Sequence, residues 1–192
     1  MTLRIPAAGG GSGGERELAR GKSTRQSSDY RPGQGVSRLA VDGNTSGVWG
    51  NRSVTHTTGS ASDMNPYWEV DLGASYKISR IEVYNRTDCC KERLNNFKIL
   101  VDGREFVPGL QRYKAGQANP MTYRGNKTGR KVKIQISGRG IVSLAEVKVY
   151  GTPLSGGSTS GGTTKQVAGT TKQPSLGMNY IICLQGVYPS RN

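Results

Sequence analysis

Histidine is almost missing from this chain: His56 is the only one in 192 residues. One imidazole leaves little scope for proton transfer or for a histidine-rich metal centre. No P-loop, nucleophile elbow or His-Glu-x-x-His segment is present to host phosphoryl, acyl or zinc-assisted hydrolysis, so an enzyme is not expected. Cysteine is scarce as well, with three residues, two of them adjacent, which excludes the Cys-x2-Cys spacing of structural zinc or a redox pair. No apolar run approaches the ~20 residues of a membrane-spanning helix. The segment Met1 to Gly14 carries one Arg and no apolar stretch, so no secretory signal is visible. Acidic residues are outnumbered by 27 basic to 13 acidic, a formal charge of +14, which draws the protein towards anionic material. The basic residues are spread along strands and loops without a Lys/Arg block, a zinc-finger spacing or an aromatic RNA-binding signature. Nucleic acid is therefore not the expected partner, and polyanionic cell-surface glycans remain.

Helical apolar spacing is also missing, and period-two alternation stands in its place. Trp68, Val70 and Leu72 alternate with Glu69 and Asp71. Ile81 and Val83, then Phe97, Ile99 and Val101, then Val132, Ile134 and Ile136, then Val147 and Val149 repeat the pattern. Each run predicts a half-buried strand. Turn signals separate them, among them Asp102-Gly103 and Asn126-Lys127-Thr128-Gly129. Many short strands with long polar connections predict an all-β fold, an antiparallel β-sandwich or jelly roll. The domain spans 16–153. It is preceded by a flexible, glycine-rich extension, 1–15, and followed by a Gly/Ser/Thr linker, 154–172, and a second apolar segment, 173–192.

The adjacent cysteines lie in Asn85-Arg86-Thr87-Asp88-Cys89-Cys90-Lys91-Glu92-Arg93. If oxidised together they form a rigid, apolar eight-membered ring. Free thiols, metal ligands and intermolecular bridges are the other readings, and their adjacency argues against metal. Arg86 and Arg93 flank the pair with two forks of donors, and Asp88 is placed to hold a guanidinium by pairing with it. A sugar, with a C–H face and a hydroxyl edge, matches an apolar plate beside such donors. Four Asn-x-Ser/Thr sequons occur, at Asn44, Asn51, Asn85 and Asn126. A glycan on Asn85 would obstruct Arg86, so a bacterial or viral source that does not N-glycosylate is expected.

The Arg-x-Asp-Cys-Cys-x2-Arg segment resembles the signature of the F-type lectins, the fucose-binding family. Asn65-Pro66-Tyr67-Trp68-Glu69-Val70-Asp71-Leu72-Gly73 and Ala145-Glu146-Val147-Lys148-Val149-Tyr150-Gly151 are similar to two further blocks of that family, which discoidin domains share. The resemblance covers about Leu18 to Gly151 and implies a discoidin-like jelly roll that binds terminal fucose or a similar sugar. Its sugar-binding residues here would be His56, through an imidazole nitrogen, with Arg86, Asp88, Cys89, Cys90 and Arg93, and with Trp49 or Tyr30 against the fucose methyl. Twenty-nine residues separate His56 from Arg86, and the length lies in Thr57 to Met64.

The resemblance also implies a structural Ca2+ site in Leu39-Ala40-Val41-Asp42-Gly43-Asn44. The ligands would be the Asp42 and Glu146 carboxylates, Ser53, and the carbonyls of Leu39, Asn44 and Ala145, an oxygen-rich set that suits a hard cation. The 173–192 segment, with Leu176-Gly177-Met178-Asn179-Tyr180-Ile181-Ile182-Cys183-Leu184-Gln185-Gly186, is similar to the end of phage tail-collar proteins. Its apolar residues need a partner surface. It implies a homo-oligomer, a trimer among the options, or a particle component. The expected localisation is therefore extracellular, on a virion or tail-like particle, without membrane insertion. A discoidin-like binder of phospholipid or protein and a structural tail protein without a sugar site are the alternative readings.

Overall fold

Alternating apolar residues become strands wherever a neighbour is available to cover one face. The structure, a computed structural model, describes residues 14–59 and 63–154. Eight strands follow in chain order: β1 Arg16–Glu17, β2 Ser23–Gln26, β3 Tyr67–Asn85, β4 Asn95–Val101, β5 Arg104–Glu105, β6 Gln111–Arg112, β7 Met121–Ile136 and β8 Leu144–Pro153. Short 3-10 turns cover Ser37–Val41, Trp49–Asn51 and Lys91–Arg93. The extension before residue 14, the linker and the 173–192 segment with Cys183 lie outside the described residues.

All strand pairs are antiparallel, as expected, and two long bent strands organise them. The first part of β3, around Trp68 to Asp71, lies between β2 and the second part of β7, with β4 beyond. The second part of β3, from Tyr76 to Asn85, lies between β8 and the first part of β7, and β1 closes the far edge of β8. The register breaks between Asp71 and Tyr76 and again between Ile78 and Arg80. Bulges of this kind bend a strand and increase its twist. β3 and β7 thereby serve both layers of a discoidin-like sandwich.

Inward side chains from both layers form one core, including Trp68, Leu72, Ile81, Val83, Phe97, Ile99, Ile134, Val147 and Val149. Each large aliphatic chain withdrawn from water contributes about 1.5–3 kcal/mol. Trp68 is fully buried and satisfies its indole by donating from Nε1 to the Ser37 carbonyl at 2.8 Å.

Asp102 and Gly103, with φ of 45° and 78°, form the turn the sequence predicts, and it links β4 to β5 as a hairpin. The turn expected at Asn126-Lys127-Thr128-Gly129 is absent. Those residues continue β7, pairing Lys127 with Ile78, Thr128 with Lys77 and Gly129 with Tyr76. The polar residues mark the bend between layers, where the chain needs a small residue: a Cβ on Gly129 would run into Val101 Cγ1 and lie 2.7 Å from Asp102 Oδ2.

Candidate functional site

Three loops converge beyond the end of β3: 27–36, 42–58 and 86–94. The segment carrying His56 is fixed against the strand-entry segment of β8. Thr55 and Thr57 donate backbone N–H groups to the Leu144 and Val142 carbonyls, and their hydroxyls accept from Leu144 N and Val142 N. The alternating threonines thus zip an irregular segment to the sandwich and point His56 towards the opposite loop.

His56 is 6% exposed. Its Nδ1 lies 2.6 Å from the Thr57 carbonyl, which can only accept, so Nδ1 carries the proton. Its Nε2 lies 3.2 Å from Arg93 Nη1, which can only donate, so Nε2 presents a lone pair. Burial first, and then the charges of Arg93 and Arg86, pull the His56 pKa below its usual value, while the Thr57 bond opposes this. The ring is neutral at pH 7. Among the described residues Arg93 makes no ion pair, so its remaining donors have no carboxylate to hold them.

Arg86 is paired. Its Nε donates to Asp88 Oδ1 at 2.6 Å and its Nη2 to Asp88 Oδ2 at 3.2 Å. Asp88 also accepts from the backbone N–H of Trp49 at 3.1 Å and of Cys89 at 2.9 Å. The Arg86 hydrogen bonds lead in holding the Asp88 carboxyl down to about 2. One carboxylate therefore orients the guanidinium and ties the Trp49 loop to the cysteine loop. Arg86 Cζ sits 5.2 Å from the Trp49 ring, within cation–π range. Cys89 and Cys90 are joined as a vicinal disulfide. Cys90 adopts φ 57° and leads into the 3-10 turn that carries Arg93, whose N–H donates to the Cys90 carbonyl at 3.1 Å. Leu94, buried next to Arg93, anchors that turn in the core.

Trp49 lies 5.4 Å from the His56 ring, and Tyr30 lies 4.7 Å from His56 and 5.8 Å from Trp49. His56, Arg86, Asp88, Arg93, Trp49 and the disulfide are thus brought to one place, with Tyr30 as an aromatic wall. Two glycines that sequence reasoning passed over make this possible. Gly35, at φ 65°, accepts from His56 N–H at 2.8 Å, and a Cβ there would lie 2.8 Å from His56 Cβ. Gly47 accepts from Thr87 N–H at 2.8 Å, and a Cβ there would lie 2.6 Å from Thr87 Oγ1 and 2.7 Å from the Asn85 carbonyl. Their only signal in the sequence is a glycine beside each candidate loop. Asn85 is 3% exposed, donates from Nδ2 to the Lys91 carbonyl and accepts from Arg86 N–H. In the folded chain this sequon has no room for a glycan.

Of the residues named for a cation, Asp42 and Glu146 lie near each other. Glu146 is 2% exposed; its Oε1 accepts from Gly43 N–H at 3.0 Å, while its Oε2 is buried without a hydrogen-bond partner. Burial, and then the Asp42 carboxylate, push its pKa up to about 7. Ser53 is buried two residues before Thr55, on the segment that the Thr55–Leu144 and Thr57–Val142 bonds hold against the entry to β8. Ser53 Oγ shares its one proton between the Ser46 and Val48 carbonyls, which leaves its lone pairs free. Leu39 lies in the 3-10 turn that runs into Asp42, Asn44 accepts Ser46 N–H on its side chain, and Ala145 is fully buried. An orphaned carboxylate oxygen facing a second carboxylate is a costly arrangement that a bound cation relieves, so these residues fit calcium. Among the described residues no cluster of three or more His, Cys, Asp or Glu occurs. Any such site would therefore draw on carbonyl and hydroxyl oxygens.

An edge of charged and neutral donors, a lone pair on a neutral imidazole, and apolar rings beside them suit a neutral polyol. Fold and site define the class: the domain model described as NedA-like, galactose-binding domain matches residues 39–138. Fucolectin-6 of Anguilla japonica is 33% identical over 147 residues, covering 70% of this chain and 75% of that protein. A solved Streptococcus pneumoniae fucose binding module, SpX-3, aligns with TM-score 0.60 at 37% identity, covering 70% of this chain and 97% of the module. The lectin domain of lectinolysin complexed with Lewis B antigen aligns with TM-score 0.62 at 32% identity, covering 71% of this chain and 97% of that domain. The chain belongs to the fucolectin, or F-type lectin, family. Among the described residues no helix is long and apolar enough to cross a membrane.

Proposed function

We propose that this domain is a lectin for terminal fucose or a closely similar sugar, binding reversibly in the cleft between His56, Arg86 and Arg93. The observation that carries the reading is the 3.2 Å approach of Arg93 Nη1 to a neutral His56 Nε2, with Arg86 fixed opposite by Asp88. Arg93 and Arg86 donate to sugar hydroxyl oxygens, and His56 Nε2 accepts a hydroxyl proton. The vicinal disulfide offers an apolar plate to the ring, and Trp49 with Tyr30 offers a wall to a methyl group. Lewis B binding by the lectinolysin domain, and fucose binding by the pneumococcal module, support the same ligand class here. Calcium, when bound, supplies charge compensation for Asp42 and Glu146, with Ser53 and the Leu39, Asn44 and Ala145 carbonyls completing the set. The domain's own residues then hold the loop that carries Trp49.

The likeness of the 173–192 sequence to phage tail-collar ends supports a further reading: the lectin is a receptor-binding module on a tail or tail-like particle, presented as a homo-oligomer. Several copies on one particle would raise the avidity of a shallow site. A glycan array with and without chelator tests the ligand and the metal together; an array on which no fucosylated glycan scores above its unfucosylated parent refutes the sugar reading. Light scattering on the full chain and on a chain ending at Pro153 tests the tail. Equal monomers, with no association to a particle protein, refute it.

A further inference from the structure

A cavity of about 570 Å³ lies next to the cleft and not in it. Its walls include Gln34, Gly35, Arg38, Trp49, Arg52 and Val54. Two wall residues belong to both places. Trp49 stands against His56 and Arg86, and Gly35 holds the His56 N–H. The cleft and the cavity therefore border each other at Trp49 and Gly35, and the cavity's volume falls in the usual range for a small-molecule site, roughly 300–1,000 Å³.

Its charge is one-sided. Arg38 and Arg52 are the charged side chains on its wall, and no carboxylate lines it. Among the described residues four arginines, Arg25, Arg80, Arg86 and Arg130, pair with carboxylates, and others such as Arg93 do not, so what sets Arg38 and Arg52 apart is their place on one concave wall. Arg38 and Arg52 are both exposed and make no ion pair among the described residues. Arg52 is held in place from the backbone. It adopts φ 54° and ψ 34°, and its N–H donates to the Trp49 carbonyl at 2.9 Å. Two uncompensated guanidinium forks about a concave wall match a tetrahedral or planar oxyanion, which each fork can bind through two parallel N–H donors. Neutral fucose has no use for them.

We propose that this cavity is a second subsite, which takes an anionic substituent, a sulfate ester or a sialic acid carboxylate, carried by the same glycan whose neutral sugar occupies the His56 cleft. The proposal rests on the sugar-binding reading of that cleft. It makes the ligand class a charged fucosylated glycan, with Arg38 and Arg52 as specificity residues.

The test is titration calorimetry of the full chain against three probes: a neutral fucosylated trisaccharide, the same trisaccharide with a sulfate ester, and the same with a sialic acid. The titrations are repeated on the Arg38→Gln/Arg52→Gln double variant. The wild type is expected to bind at least one anionic probe about tenfold more tightly than the neutral one, and the arm that gains identifies the anion. The double variant is expected to bind all three equally, at the wild-type affinity for the neutral probe. The two substitutions lower the basic count from 27 to 25 against 13 acids, so the net charge only falls from +14 to +12. A preference due to diffuse charge would largely survive that change, and its survival overturns the subsite. Equal binding of all three probes by the wild type also overturns it. If no trisaccharide binds, the fucose reading fails, and inorganic sulfate then decides the cavity. Sulfate-dependent shifts of Trp49 resonances that vanish in the double variant support it, and their absence refutes it.

Discussion

Replacing Glu146 by Gln is expected to stabilise the calcium-free protein at alkaline pH and to make it indifferent to calcium. Gln keeps the acceptor for Gly43 N–H and removes the charge. In the metal-free fold the Glu146 carboxyl is pushed up to about 7 from 4.5, by burial and by Asp42. An acid whose folded pKa is raised binds its proton more tightly when folded, so stability falls as pH rises through the window between those two values. Below about 4.5 both states are protonated and nothing is lost. Above about 7 the full cost applies, and 2.5 pH units at about 1.4 kcal/mol each gives about 3.5 kcal/mol. For a domain of this size that corresponds to about 10 °C in Tm. Burying the Gln amide beside the site of the orphaned Oε2 adds a cost of about 1–3 kcal/mol that does not depend on pH. The quantity to read is therefore the change, between pH 4.5 and pH 8, in the Tm difference between variant and wild type in chelator, and it should favour the variant by about 10 °C. In millimolar calcium the wild type should recover through mass action and the variant should not. A difference that stays flat with pH would show that Glu146 carries no raised pKa, and a calcium-induced rise in both proteins would show that the cation sits elsewhere.

Other outcomes follow from the cleft. Arg86→Ala and Arg93→Ala should each reduce fucose affinity by about 1.5–3 kcal/mol, the worth of a charge-assisted hydrogen bond, with the melting curve of Arg93→Ala unchanged; calorimetry giving wild-type affinity for both would remove the proposed site. Because His56 Nε2 must offer a lone pair and burial holds its pKa below the usual value, binding should be full at pH 8 and weaken in acid solution as the ring gains a proton; a midpoint above 7 would contradict this. Gly47→Ala should weaken sugar binding by forcing the Trp49 loop away from Thr87, because the nearest atoms, at 2.6 and 2.7 Å, include backbone; nuclear magnetic resonance showing unmoved Trp49 and Thr87 signals would refute the clamp. Reduction of Cys89–Cys90 should lower affinity more than it lowers Tm, and the reverse order would make the bridge structural.

The sequence alone determined the alternating runs that form the core-bearing strands β3, β4, β7 and β8, because alternation needs only nearest neighbours along the chain; the two-to-four-residue strands β1, β2, β5 and β6 carry no such run. Trp68, Val70 and Leu72, or Val132, Ile134 and Ile136, could face only one way once one side was to be dry. The Arg86-to-Arg93 segment was legible for a similar reason: its donors, its carboxylate and its adjacent cysteines lie within eight residues. The tertiary structure decided the rest. Asn126 to Gly129 reads as a turn locally, yet the crossing of β3 and β7 between two layers requires a bend there and supplies partners for the backbone. The meeting of His56 with Arg93, 37 residues apart, depends on Thr55 and Thr57 binding the start of β8. Gly35 and Gly47 show no chemistry of their own, and their importance lies in what a missing Cβ allows to approach. The unpaired state of Arg38 and Arg52 likewise has no signature in the sequence. A charge is compensated or not by neighbours in space, and only the closed loops determine which carboxylates come within reach.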